Sequence, residues 1–165
     1  MILKTNIVLE KRDLHPAYIQ DFSCIQGLSF QQEYNIYIQG KRKPMRCDFK
    51  ISYKQHSILS ELKVFNKATY HVCEHLSQLL AYYYSSPNVD WLMMGTQNNI
   101  TLININENKE VLKQQKPIFD MFGCSAPSRF CKDHPMPIAD FVRKDFEINE
   151  SFEMKSVFDF ISSHA

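Results

Sequence analysis

From Tyr34 onward the apolar residues recur at every second position, and this alternation constrains the fold more than any other feature of the chain. Tyr34, Ile36 and Ile38 alternate with Asn35, Tyr37 and Gln39, which predicts a half-buried strand. Gly40-Lys41-Arg42-Lys43-Pro44 supplies a turn. Arg46 to Tyr53 reads as the returning strand and residues 57–63 as a third, so short links join three consecutive strands into an antiparallel meander. The period then lengthens. Val72, Leu76, Leu79, Leu80 and Tyr83 form a helical stripe over 70–84, stopped by Ser85-Ser86-Pro87-Asn88. Trp91 to Gly95 is a short apolar run suited to a buried parallel strand, and Ile100 to Ile105 a further strand. Strand, helix and strand in that order make a crossover unit, right-handed if both strands share a sheet.

The flanks are less regular. Tyr18, Ile19, Phe22, Ile25 and Phe30 predict a helix over about 16–32, with Pro16 in its first turn and Gly27 ending or interrupting it. Residues 2–10 fit an edge strand or a helix start equally well. Residues 107–122 suggest a short helix, the prolines at 127, 135 and 137 break the next stretch into loops, and 151–161 forms a last amphipathic segment. The expectation is a single α/β domain over residues 1–165, with a core over about 16–105 and a C-terminal extension over 106–165. Its centre would be a mixed four- to five-stranded sheet flanked by helices. At 165 residues, 44% of them hydrophobic, the chain has the length and apolar content for one core.

A formal charge of only +1 excludes a global field that would draw in nucleic acid, so any such contact must rest on a local patch. No apolar run approaches the ~20 residues of a membrane span. The first residues lack the apolar core of a signal peptide, and the five cysteines are an odd number without paired spacing. These point to an intracellular protein, cytoplasmic or, in a eukaryote, nuclear. Cys124, Cys131 and His134 are spaced too loosely for a zinc site and read as thiols and a histidine in a loop-rich tail.

The chemistry lies at the strand ends. Asp48 sits in the apolar run Cys47-Asp48-Phe49-Lys50-Ile51, and twelve residues intervene before Glu61-Leu62-Lys63 closes the third strand. Side chains two apart on a strand share a face, so Glu61 and Lys63 point the same way and Asp48 can approach Glu61 from the neighbouring strand. Paired carboxylate oxygens suit Mg²⁺ or Mn²⁺, which polarise a phosphoryl oxygen and acidify bound water. Lys63 can orient or deprotonate that water, or stabilise the charge that builds on the phosphoryl group.

Asp48 in Arg46-Cys47-Asp48-Phe49, then Glu61-Leu62-Lys63, then Gln78-Leu79-Leu80-Ala81-Tyr82 on the following helix, resembles the PD-(D/E)XK nuclease superfamily and its RecB-like branch. The likeness covers about Glu33 to Ile105 and lacks the proline that names the superfamily. It implies a restriction-endonuclease-like core in the order helix, three-strand meander, helix, strand. It also implies metal ligation by Asp48, Glu61, the Leu62 backbone carbonyl and an additional acidic residue, Glu33. Catalysis would fall to Asp48, Glu61, Lys63 and Gln78, with Gln78 and Tyr82 supporting the site or meeting substrate. The activity implied is metal-dependent hydrolysis of nucleic acid, DNA more than RNA, by the chain alone, as a homo-oligomer or in a larger nuclease complex.

Lys41, Arg42, Lys43, Arg46, Lys50 and Lys54 place six basic residues in fourteen positions around Asp48. Beside an acidic metal site such a cluster would grip a phosphate backbone; otherwise it is a solvated turn. His71 and His75, one helical turn apart, have no third ligand in the pattern, and one of the run Tyr82-Tyr83-Tyr84 could stack on a base. Two other readings compete with the nuclease. The first is a catalytically degenerate nuclease-fold module that binds nucleic acid or protein, against which intact Asp48, Glu61 and Lys63 count. The second is a sugar- or nucleotide-binding α/β protein, against which the lack of a glycine-rich phosphate loop counts.

Overall fold

The computed structural model describes residues 1–3, 7–37, 42–120 and 138–164. A π-helical turn over Glu10–Leu14 leads directly into α1, His15–Ser23. Pro16 sits in the first turn of α1, where a missing N–H costs nothing. The helix is shorter than its apolar spacing predicts. Gly27 takes a left-handed φ of 82°, and the chain is extended from Leu28 onward. Phe30 therefore belongs to a strand. Its ring lies 5.8 Å from Phe22 and 5.9 Å from Phe49, so sheet packing claims a residue that also fits a helical stripe.

The sheet has six strands in sequential order: β1 Leu28–Ile36, β2 Met45–Tyr53, β3 His56–Leu62, β4 Trp91–Gly95, β5 Asn99–Asn104 and β6 Lys144–Glu147. Every neighbouring pair is antiparallel except β3–β4, which run parallel from Ile58↔Trp91 to Leu62↔Gly95. That one parallel pair requires a crossover, and α2, Val72–Ser85, supplies it. The meander and crossover are those expected from the alternation. β6 is not: with only Phe146 apolar in Lys-Asp-Phe-Glu, nothing in its composition marks a strand. It is held by pairing with β5 and by the Thr101 hydroxyl, which donates to Asp145 at 2.7 Å. Residues 7–9 form neither strand nor helix.

Two apolar layers cover the sheet. On one face α2 and α3, Lys109–Ile118, bury Leu76, Leu79, Leu80 and Leu112 against Leu59, Leu92, Met94 and Ile103. On the other, α1 and α4, Met154–Ser162, bury Tyr18, Phe22, Phe158 and Ile161 against Phe49, Ile51, Ile58, Leu62 and Met93. Gly95 allows the closest approach. A Cβ there would lie 2.5 Å from the Tyr18 hydroxyl, which donates to the Thr96 carbonyl at 2.7 Å. Among the described residues no helix is long and apolar enough to cross a membrane.

The hairpin changes face part-way along. Leu28 and Phe30 of β1 pack with the α1 layer, yet Tyr34 and Ile36 pack with the α2 layer. On β2, Phe49, Ile51 and Tyr53 face α1 while Cys47 faces α2. Residues separated by an even number of positions share a face on a regular strand, so both strands lose phase at the same level. The register is the same on either side: Gln32↔Phe49 and Tyr34↔Cys47 pair, and the level between them, Glu33 opposite Asp48, is skipped. Glu33 takes a left-handed φ of 50°, so the chain absorbs the half-turn there without an extra residue.

Candidate metal centre at a strand fork

Asp48 stands where the ladders on both sides of β2 open. The β2–β3 pairing ends at Phe49↔Ser60. One residue further on, side chains replace the backbone bonds: Leu62 N–H donates to Asp48 Oδ2 at 2.8 Å, and Asp48 N–H donates to Glu61 Oε2 at 3.2 Å. These exchanges hold the two carboxylates together in the fork, 8% and 4% exposed respectively. Burial, and after it the charge of Asp48, pushes the Glu61 carboxyl well above its usual range, against the pull of Lys63. Burial opposes the Asp48 charge too, but His15, the Leu62 N–H and Lys11 hold that carboxyl below its usual value.

The turn before α1 delivers residues with no motif in the sequence. His15 Nε2 lies 3.5 Å from Asp48 Oδ2 and 3.9 Å from Glu10 Oε1. Ligand atoms of Glu10, His15 and Asp48 all fall within 4.8 Å of one another. His15 Nε2 is buried and makes no hydrogen bond, so a nitrogen lone pair or proton is held between two carboxylates without a directed partner. Burial opposes charge on the ring, but Asp48 and Glu10 raise its pKa to about 9. Lys11 places Nζ 3.7 Å from Asp48 Oδ1 and 3.9 Å from Glu33 Oε1. The only sequence signals were His15 beside Pro16 at a helix start and Glu10 five positions earlier; the π-helical turn that swings both inward is a tertiary outcome.

From the opposite layer α2 supports the fork with residues three to four apart, hence on one face. His75, 1% exposed, approaches the Glu61 carbonyl through Nε2 at 2.7 Å, and Tyr70 lies 3.2 Å from its Nδ1. A carbonyl only accepts, so Nε2 carries the proton and Nδ1 accepts from the tyrosine. Burial holds the His75 pKa down to about 4, keeping the ring neutral. Gln78, half-buried on the same face, has its Oε1 buried without a hydrogen-bond partner. Tyr82 donates to the Arg46 carbonyl at 3.0 Å and is 2% exposed. Tyr82 is therefore a brace for the start of β2 and presents no ring surface to a substrate.

The remaining candidates lie further out. Lys63 is partly exposed past the end of β3, its N–H bonded to the Gly95 carbonyl at 2.9 Å and its charge felt by Glu61. Leu62 presents its backbone at the mouth of the fork. Glu33 lies opposite Asp48 in the register but is exposed, paired with Lys11 and, at 3.8 Å, with Arg46. Arg42 and Lys43 are exposed in the β1–β2 connection and Arg46 at the start of β2, and Lys41 lies outside the described residues. Cys124, Cys131 and His134 also lie outside them. His71 is exposed ahead of α2 and shares no site with His75.

Glu10, His15 and Asp48 thus bring one nitrogen and two carboxylate groups together; Glu61 adjoins Asp48 through the Asp48 N–H but is not one of the three. A histidine ligand suits Mn²⁺ better than Mg²⁺, which takes oxygen almost exclusively. The chain matches no family model, no curated protein and no solved structure. Function has to be argued from this site.

Proposed function

We propose that the protein is a metal-dependent nuclease that hydrolyses phosphodiester bonds of nucleic acid, DNA in preference to RNA, on a restriction-endonuclease-like core. The observation that carries this reading is the opening of both ladders at Asp48. Asp48 there meets Glu10 and His15 on one side and adjoins Glu61, which feels the charge of Lys63, on the other. Buried carboxylates side by side are costly unless a cation joins them. Helix, meander, crossover helix and strand follow one another in the order the motif resemblance implies.

A bound Mn²⁺ or Mg²⁺ would supply charge to a phosphoryl oxygen and acidity to a coordinated water. The residues of the chain do the rest. Asp48, with Glu10 and His15 in its unprotonated form, would hold the cation, and Glu61 would approach it beside Asp48. Lys63, on the same face as Glu61, takes the proton of the attacking water or neutralises charge on the phosphoryl oxygens. His75 and the Asp48–Leu62 bond fix the angle of β3, so that Glu61 and Lys63 leave the strand in a defined direction. Arg42, Lys43 and Arg46 supply nonspecific contacts to the phosphate backbone.

Incubation with linear and circular single- and double-stranded DNA and with RNA, each with Mg²⁺ or Mn²⁺, tests this directly. Metal-dependent cleavage that disappears in Asp48→Asn is expected. Nucleic-acid binding without cleavage under every metal would instead identify a degenerate nuclease-fold binding module.

A further inference from the structure

A second groove lies on the α2 face, away from the carboxylates. The end of α2 and the length of α3 enclose about 250 Å³ lined by Tyr83, Tyr84, Pro87, Leu112 and three lysines, Lys109, Lys113 and Lys116. The lysines are spaced by four and three residues, so they form one stripe along α3, and all three are exposed. Tyr84 is fixed as a wall: its hydroxyl donates to the Leu112 carbonyl at 2.7 Å and its ring packs 5.1 Å from Phe119. Lys116 Nζ sits 6.0 Å from the Tyr84 ring and 2.6 Å from Asp120. Tyr83 stands half-exposed beside Tyr84, ring centroids 5.4 Å apart.

Tyr83 and Tyr84 follow Tyr82, whose buried hydroxyl donates to the Arg46 carbonyl and so fixes this end of α2 against β2. The groove itself is an aromatic wall edged by cations. Lysines beside tyrosine rings are the chemistry of single-strand binding, phosphates on the amines and bases on the rings. The volume admits one unstacked nucleotide and not a duplex.

We infer that the α2–α3 groove binds single-stranded nucleic acid, with a base on Tyr83 and phosphates on Lys109, Lys113 and Lys116. Its role as a substrate track rests on the nuclease reading; the binding itself does not. Binding is read by fluorescence anisotropy of oligo-dT and oligo-rU of roughly 20 nucleotides, long enough to cross both sites. Asp48→Asn protein in EDTA keeps cleavage out of the measurement.

In that background Tyr83→Ala is expected to weaken binding by about 5- to 100-fold, the loss of one stacked base, while Tyr83→Phe binds like tyrosine. Replacing the three lysines by Ser should lower the slope of log affinity against log salt by about 2. Inorganic polyphosphate should feel the lysine change and ignore Tyr83→Ala. An oligonucleotide equally indifferent to Tyr83→Ala, or an unchanged salt slope, overturns the groove. Cleavage by wild-type protein alongside that result refutes the groove and leaves the nuclease reading. The expected binding losses with no cleavage by wild type do the reverse.

Discussion

Two buried histidines face the same fork from opposite layers, and they titrate in opposite directions. His15, from the α1 layer, sits between Asp48 and Glu10 and is raised to about 9. His75, from the α2 layer, sits between the Glu61 carbonyl and the Tyr70 hydroxyl and is lowered to about 4. The side chain is the same and both rings are buried, so the neighbours decide. Carboxylates on the α1 side favour a charged ring; neutral dipoles and burial on the α2 side favour a neutral one. The fork thus has a charged side and a side that braces β3 through the Glu61 carbonyl.

The largest effect should come from removing the cation's ligands. Asp48→Asn is expected to lower cleavage by more than about 100-fold, beyond the range for losing a supporting residue, with a two-state urea transition retained. Glu61→Gln should also abolish cleavage and metal binding, measured by Mn²⁺ titration calorimetry. It should raise the urea midpoint of the metal-free protein, because a neutral amide relieves the burial and repulsion that Glu61 bears. A lower midpoint would mean that Glu61 is stabilised as an anion without metal.

The scaffold side should answer in stability. His75→Ala leaves the Glu61 carbonyl and the Tyr70 hydroxyl without their shared partner and is expected to cost about 2–4 kcal/mol in urea denaturation. Gln78→Ala should leave stability nearly unchanged and lower turnover by about 10–100-fold, as for a residue orienting a ligand. Wild-type turnover in Gln78→Ala would remove Gln78 from the site and leave His75 and Tyr82 as the working face of α2.

The smallest effect is also the sharpest test of the contrast. His75 has a folded pKa near 4 against 6.5 ordinarily, so the unfolded chain binds more protons between those values. Stability should therefore rise with pH through that window and flatten above it. His15 is raised above 6.5, so its contribution is present below about 6.5 and lost as pH climbs through about 9. His15→Asn should erase the alkaline decline, and also weaken acid-side stability by releasing Asp48, whereas His75→Gln should erase the rise between about 4 and 6.5 and leave the alkaline limb intact. Mn²⁺ in place of the His15 proton should also flatten the alkaline limb. If one substitution flattened both limbs, the two sides of the fork would not be independent.

The chain's own pattern already specified the meander, the crossover helix and the two strands after it. Alternation at 45–63 and the helical stripe over 72–85 leave few other arrangements. It also put Asp48 inside the second strand of the meander and Glu61 and Lys63 at the end of the third. Gln78 and Tyr82 could be put on one helical face but not assigned depth, and burial made Tyr82 a brace. Glu10 and His15 were not legible. A five-residue π-helical turn has no periodic signature, and its direction depends on α1 packing against Phe49 and Phe30. β6 was hidden for a related reason, since one apolar residue in four makes no pattern and pairing with β5 alone makes it a strand. The half-turn at Glu33 and Asp48 is the clearest case of what only the tertiary structure decided. Two-residue periodicity assumes that a strand keeps its phase, and here two opposed apolar layers claim the two halves of one hairpin. The half-turn between those claims coincides with the break in the ladder at Asp48, beside which Glu10 and His15 gather.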